Sequence, residues 1–270
     1  MPTKGFAVAG APRHGKDPMY ACLMPQFRLR VVLLALGIGL TTGATGAAPS
    51  PLRQVSPFSD AAPGATIPEP WQRQSLPGVE RQNTFELVAD AGRTVLEVRS
   101  DAAASTLTHA LAVEPAQAPL LTWRWKVSRA LKGSDFSRKS GDDYAARVYV
   151  LFDYPVEKLS LGDRVKMSLG RTLYGAELPT AAIAYVWGTA QKVGDTGPNP
   201  YTDRVQMIVV DSGAGQVGQW REIERDVAAD FRAVFGVEAP RVVGIAVSAD
   251  TDNTGEAVVT RFGDLRFLPR

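Results

Sequence analysis

Residues Leu120 to Val127 read LLTWRWKV, with Leu121, Trp123, Trp125 and Val127 on one side and Thr122, Arg124 and Lys126 on the other. Period-two alternation marks a strand with one apolar and one polar face. A chain built from such strands has to close two sheets over their apolar faces. Tyr144 to Phe152 repeats the pattern: Ala146, Val148, Val150 and Phe152 face one way, Asp143, Arg147, Tyr149 and Asp153 the other. Phe85, Leu87 and Thr94 to Val98 flank Asp90-Ala91-Gly92, a hairpin signature. Ala182–Trp187, Arg204–Val210, Val242–Ser248 and Val258–Phe267 are rich in β-branched and aromatic residues, as strands are.

One segment is helical in pattern. In Asp226 to Phe235, Val227, Phe231, Val234 and Phe235 recur at helical spacing, and Gly236 follows as a stop. Lys158 to Gly170 reads equally as a turn or an irregular strand. There is no strand–helix alternation, which argues against a parallel α/β domain. The expected fold is all-β: an antiparallel β-sandwich of the jelly-roll kind, with one short helix near 226–235. Residues 78–270 are expected to form that domain. Residues 48–77, with seven prolines between Pro49 and Pro77, read as an exposed lead-in that becomes ordered near Trp71.

The N-terminal stretch carries an address. Val31 to Leu40, VVLLALGIGL, follows Arg28 and Arg30 and precedes the small residues Thr41 to Ala48. A basic start, a short apolar run and a small-residue zone make a secretory signal. The run is too short to span a bilayer, which takes about 20 residues. Met24 is therefore the expected start, 1–23 an upstream extension, 24–47 the signal peptide, and cleavage is expected within Ala44 to Ala48. The expected location is periplasmic or secreted, with no stable membrane span after cleavage; a retained anchor is the competing reading. Cys22 precedes the apolar run, which excludes a lipoprotein signal.

Cleavage also changes the chemistry available. Five of the 30 basic residues and one of the 28 acidic ones lie before Ala48, so the formal charge moves from +2 to about −2. Nothing in that balance calls for nucleic acid. The mature chain has no Cys and only His109, which removes cysteine nucleophiles, thiolate metal sites and three-His sites. No G-x-S-x-G, P-loop or H-E-x-x-H occurs. His109 lies among apolar residues and reads as a structural or surface histidine.

Three groups remain. Asp142-Asp143 precedes one strand, and Asp250-Thr251-Asp252-Asn253-Thr254-Gly255 follows another. Asp250, Asp252 and Asn253 offer the hard oxygens that Ca²⁺ takes, although Asp and Asn also build ordinary turns. Trp123 and Trp125 share one strand face, as do Tyr185 and Trp187. Such aromatics stack on sugar rings or fill a core. The polar face of Asp143, Arg147 and Tyr149 is a ligand surface or a solvated outer sheet. The candidate ligand-binding residues are thus Asp143, Arg147, Tyr149 and Trp187, and the candidate calcium ligands Asp250, Asp252 and Asn253.

The segments WRWKV (123–127), DDYAARVYVLFD (142–153), YVWG (185–188), RDVAADFRAVFG (225–236), GIAVSADTDNTG (244–255) and FGDLRF (262–267) together resemble the bacterial exported family known as domain of unknown function 3047. The resemblance runs from about Phe58 to Phe267. It implies an exported protein and carries no established activity. The closing pattern is also similar to jelly-roll carbohydrate-binding modules, which implies a sandwich that often holds a structural Ca²⁺ near its last strand; fold alone does not set function. The expected role is non-catalytic binding of a polysaccharide or other polar envelope component. The alternatives are a glycan-active hydrolase or lyase using Asp143, Arg147, Tyr149 and Asp250, and a structural part of an envelope complex.

Overall fold

A computed structural model describes residues 55–76, 78–155 and 180–270. Among these residues thirteen strands and one α-helix follow in order: β1 (Gln72–Ser75), β2 (Thr84–Asp90), β3 (Arg93–Asp101), β4 (Ser105–Val113), β5 (Leu120–Val127), β6 (Arg147–Phe152), β7 (Ala181–Gly188), β8 (Thr196–Asn199), β9 (Thr202–Ser212), β10 (Arg221–Asp226), α1 (Val227–Phe235), β11 (Val242–Ser248), β12 (Ala257–Phe262) and β13 (Arg266–Leu268). They form two sheets of a β-sandwich. The first runs β1-β4-β11-β6-β7-β9-β8; the second runs β10-β5-β12-β3-β2, with β13 also paired to β5. Among the described residues every pairing is antiparallel except β7 with β9, which is parallel.

The alternation in β5 is realised: Leu121, Trp123, Trp125 and Val127 are buried between the sheets. From the facing sheet come Tyr185 and Trp187, whose rings lie 5.3 Å from Trp123 and 6.1 Å from Trp125. The β2–β3 hairpin turns at Ala91 and Gly92, both at positive φ (51° and 75°), the backbone a tight two-residue hairpin turn requires. Helix α1 begins at Asp226, whose side chain accepts the amide of Ala229 at 2.9 Å, and stops at left-handed Gly236. Its Phe231 is fully buried against Phe152, ring centres 4.6 Å apart.

Several boundaries differ from the sequence pattern. The strand expected from Tyr144 begins at Arg147, and the stretch 258–267 is two strands broken at 263–265. β1, β8 and β10 are edge strands of mostly polar sequence, where no apolar face exists to reveal them. Within the Pro-rich stretch, Val55, Phe58 and Trp71 are core residues, and Phe58 stacks on Trp71 at 4.9 Å. Residues 158–170 lie outside the described residues, as do residues 1–54 and with them the whole expected signal.

The largest departure concerns the outer face of the first sheet. Tyr149, Leu151, Ala182, Ala184, Val186, Met207 and Ala246 form a second buried cluster there. The solvated outer sheet considered from the alternation is thereby corrected: β6 is buried along both faces. Ala184 and Ala246 are the neighbours of Tyr149 across the sheet and Ala182 that of Leu151, so small side chains flank the Tyr149 ring on both sides.

Candidate functional site

A compact loop sets the position of Asp142. The amide of Asp135 donates to the carbonyl of Gly141 at 2.7 Å, and a Cβ at Gly141 would come within 2.7 Å of the Asp135 carbonyl oxygen. Only glycine fits that approach. Asp142 then meets Arg147 at the start of β6. Arg147, 2 % exposed, lies 3.1 Å from an Asp142 carboxylate oxygen and also donates to the Asp142 carbonyl. Its Nε is 2.6 Å from Asp250, close in charge although off the N–H axis. Nη1 donates to the Tyr149 hydroxyl at 3.1 Å, and the guanidinium lies 4.5 Å from the centre of the Tyr144 ring.

Supporting bonds hold the two carboxylates. Asn199 Nδ2 donates to both Asp142 oxygens at 3.1 and 3.0 Å. Ser248 donates to Asp250 at 3.0 Å. Asp143 turns to the following acidic loop: it accepts the amides of Asn253 (3.3 Å) and Thr254 (2.7 Å) and the Thr254 hydroxyl (2.7 Å). The two acidic motifs, far apart in the chain, thus meet at one end of the first sheet.

Burial dominates the electrostatics. It pushes Asp250 up to about 7, against the pull of Arg147 and with a push from Asp252. It also raises Asp142 and, together with Asp143, Asp252. For Arg147 burial opposes the charge, but Asp142 and Asp250 outweigh it and hold the guanidinium well above its ordinary value. The Tyr144 hydroxyl is buried with no hydrogen-bond partner among the described residues. Such an orphan is costly unless something completes it. Asp252, Asn253, Thr254 and Tyr201 are the half-buried and exposed rim of the cluster.

The sequence candidates therefore fall into separate places. Arg147 and Tyr149 join Asp142 and Asp250; Asp143 anchors the loop that supplies Asp250. Trp187 is on the opposite face of its sheet, 1 % exposed, with its indole donating to the Gly213 carbonyl at 3.0 Å. It offers no ring face to a solvent-borne ligand. Of the expected calcium ligands, Asp250 faces Arg147, while Asn253 Nδ2 donates to Asp252 at 3.0 Å. Among the described residues no three His, Cys, Asp or Glu side chains converge as a metal cage. His109 is buried: Nε2 accepts the Ser56 amide at 3.0 Å and burial lowers its pKa. Tyr144 and Asn199 are site residues the alternation could not single out. The adjacency of Tyr144 to the Asp142-Asp143 pair was the available signal.

Fold and site together define a β-sandwich protein with a buried carboxylate–guanidinium centre at one end of a sheet. The chain belongs to the family described as protein of unknown function (DUF3047), whose model matches residues 69–266. No curated protein matches it. Among solved structures it is similar to the family 30 carbohydrate-binding module of the cellulosomal cellulase Cel9D-Cel44B of Clostridium thermocellum. That match has 11 % identity and a TM-score of 0.38, covering 81 % of this chain and 99 % of the module. It is also similar to the Spr0440 glycoside hydrolase domain, Endo-D, of Streptococcus pneumoniae R6, at 12 % identity and a TM-score of 0.31. That match covers 73 % of this chain and only 21 % of the other.

Proposed function

We propose that this is an exported, non-catalytic binding protein, periplasmic or secreted, whose ligand is a polyhydroxylated envelope component such as a carbohydrate. The observation that carries the reading is the convergence of Asp142, Asp250 and Arg147 beside Tyr144, whose buried hydroxyl lacks a partner among the described residues. Carboxylates accept the hydroxyl hydrogens of a sugar, a guanidinium donates to its oxygens, and a tyrosine ring packs against its carbons. Asp252 and Tyr201 stand at the rim, where a ligand arrives first. The export half of the proposal rests on the 24–47 segment. Among the described residues no helix is long and apolar enough to cross a membrane.

The test is a binding screen of the mature protein against neutral oligosaccharides, repeated with Asp252→Asn and Tyr144→Phe. Binding that weakens at least tenfold in Asp252→Asn, with an unchanged melting temperature, supports the site. Neutral glycans that bind neither protein, or bind both equally, reject it. A second reading, a glycan-active hydrolase or lyase, draws support from Asp250, since a carboxyl poised near 7 suits general-acid work. Product formation abolished by Asp250→Asn would establish that reading in place of simple binding.

A further inference from the structure

The second sheet carries a cavity of about 300 Å³ where β5 changes partners, lined by none of the residues of the Arg147 centre. β5 pairs with β12 through Trp125, Lys126 and Val127, and with β13 through Leu120, Leu121 and Thr122. Gly263 and Asp264 bridge the break, and the cavity opens over it, bordered by Arg124, Arg93, Glu222, Glu224 and Gly263.

Arg124 is the informative residue. Its guanidinium lies 4.4 Å from the centre of the Trp220 ring. A Cβ added at Gly263 would stand 2.6 Å from Arg124 Cγ and 2.7 Å from Nε. The side chain packs against the indole and against Gly263, where an added Cβ would push it aside. Glu222 is its cross-strand neighbour, yet the guanidinium makes no ion pair and no hydrogen bond among the described residues, and neither does that of Arg93. Other arginines here do pair: Arg261 with Asp90 and Glu97, Arg225 with Asp230, Arg221 with Asp211. A planar donor fork, stacked on an indole and left without an acceptor beside a cavity, suits a planar oxyanion. Glu222 and Glu224, exposed on β10, can accept hydroxyl hydrogens at the same cavity. Asp264 accepts from the amide and hydroxyl of Ser59 at 3.0 and 2.6 Å, so it is already occupied.

We propose that this cavity is a second binding site, independent of the Arg147 centre, for a hydroxylated carboxylate of about one sugar ring in size, such as a uronic acid. The carboxylate pairs with Arg124 and Arg93, and the hydroxyls donate to Glu222 and Glu224. A volume of about 300 Å³ is at the small end of ligand sites and suits one ring.

The experiment is a titration of the full mature chain with glucuronate, glucose, acetate and inorganic phosphate, followed by calorimetry and by amide shifts in NMR spectra. Glucuronate is expected to bind at least tenfold more tightly than any of the other three, with shifts centred on Arg124 and Glu222. Arg124→Gln is expected to weaken it at least tenfold, and Arg124→Lys to weaken it as well, because the ammonium has no fork. Gly263→Ala, which displaces Arg124 without removing charge, is expected to do the same. Arg81→Gln, which removes an exposed guanidinium paired with Asp101 and lining no part of this cavity, is expected to leave glucuronate affinity unchanged. Acetate, phosphate or glucose binding as tightly as glucuronate, or glucuronate binding untouched in a folded Arg124→Gln protein, overturns the proposal.

Discussion

Replacing Arg147 with Met tests the buried centre most directly. The substitution keeps an apolar stem of similar length and removes the guanidinium that pairs with both Asp142 and Asp250. Removing one partner of a buried ion pair costs about 3–5 kcal/mol, because the remaining charge is left uncompensated. The guanidinium–ring contact with Tyr144 is lost as well, and such contacts are worth up to about 2 kcal/mol when desolvated. The cost depends on pH in a definite direction. Burial already raises Asp142, and raises Asp250 from 3.8 to about 7. A carboxyl raised in the folded state favours folding below its unfolded value, and that contribution is lost as pH rises through the folded one, near 7 for Asp250. Without Arg147 both groups shift further up, since its attraction was lowering them. The variant is therefore expected to lose about 3–5 kcal/mol at about pH 8. The loss should be clearly smaller near pH 4.5, where Asp250 is neutral in either protein. Urea unfolding of wild type and Arg147→Met at the two pH values measures this. Equal losses at both, or a loss under about 1 kcal/mol at the higher pH, would refute the argument.

Two further outcomes are expected. Phe231→Ala should cost about 3–5 kcal/mol by thermal or denaturant unfolding, the usual range for a fully buried Phe; a loss under about 1 kcal/mol would mean that α1 does not close this edge of the core. Asp143→Ala should leave the amides of Asn253 and Thr254 without their acceptor, so their hydrogen exchange should quicken selectively, while unchanged exchange there would remove Asp143 as the anchor of the loop.

The sandwich was legible because its central strands carry a plain signal. In β5 every second residue is apolar, and in β6 Val148, Val150 and Phe152 fall on the same beat. The helix was equally plain, since its cap, its stripe and its terminal glycine agree. β1, β8 and β10 were not, because QRQS, TGPN and REIERD have little apolar surface to pattern. The site was legible only in its parts. Arg147 and Tyr149 read as a polar face, for a ligand or for solvent, whereas their burial depends on partners at Asp142 and Asp250. Nothing local records that Asp250 arrives at Arg147, because that approach follows from β11 pairing with β6. Trp187 misled in the opposite way: an aromatic on a strand suits both a sugar and a core, and only the facing sheet decides between them.

The strand order has a consequence for when the chain can fold. β11 lies between β4 and β6, and β12 between β5 and β3. Without residues 242–262 the first sheet falls into β1-β4 and β6-β7-β9-β8, and the second into β10-β5 and β3-β2. A nascent chain emerging N-terminus first therefore leaves the edges of β4, β6, β5 and β3 open until its last segment is made. Pairings this distant in sequence close slowly, and partly made chains of this kind aggregate readily. Residues 242–262 are thus the latch that joins both halves of each sheet.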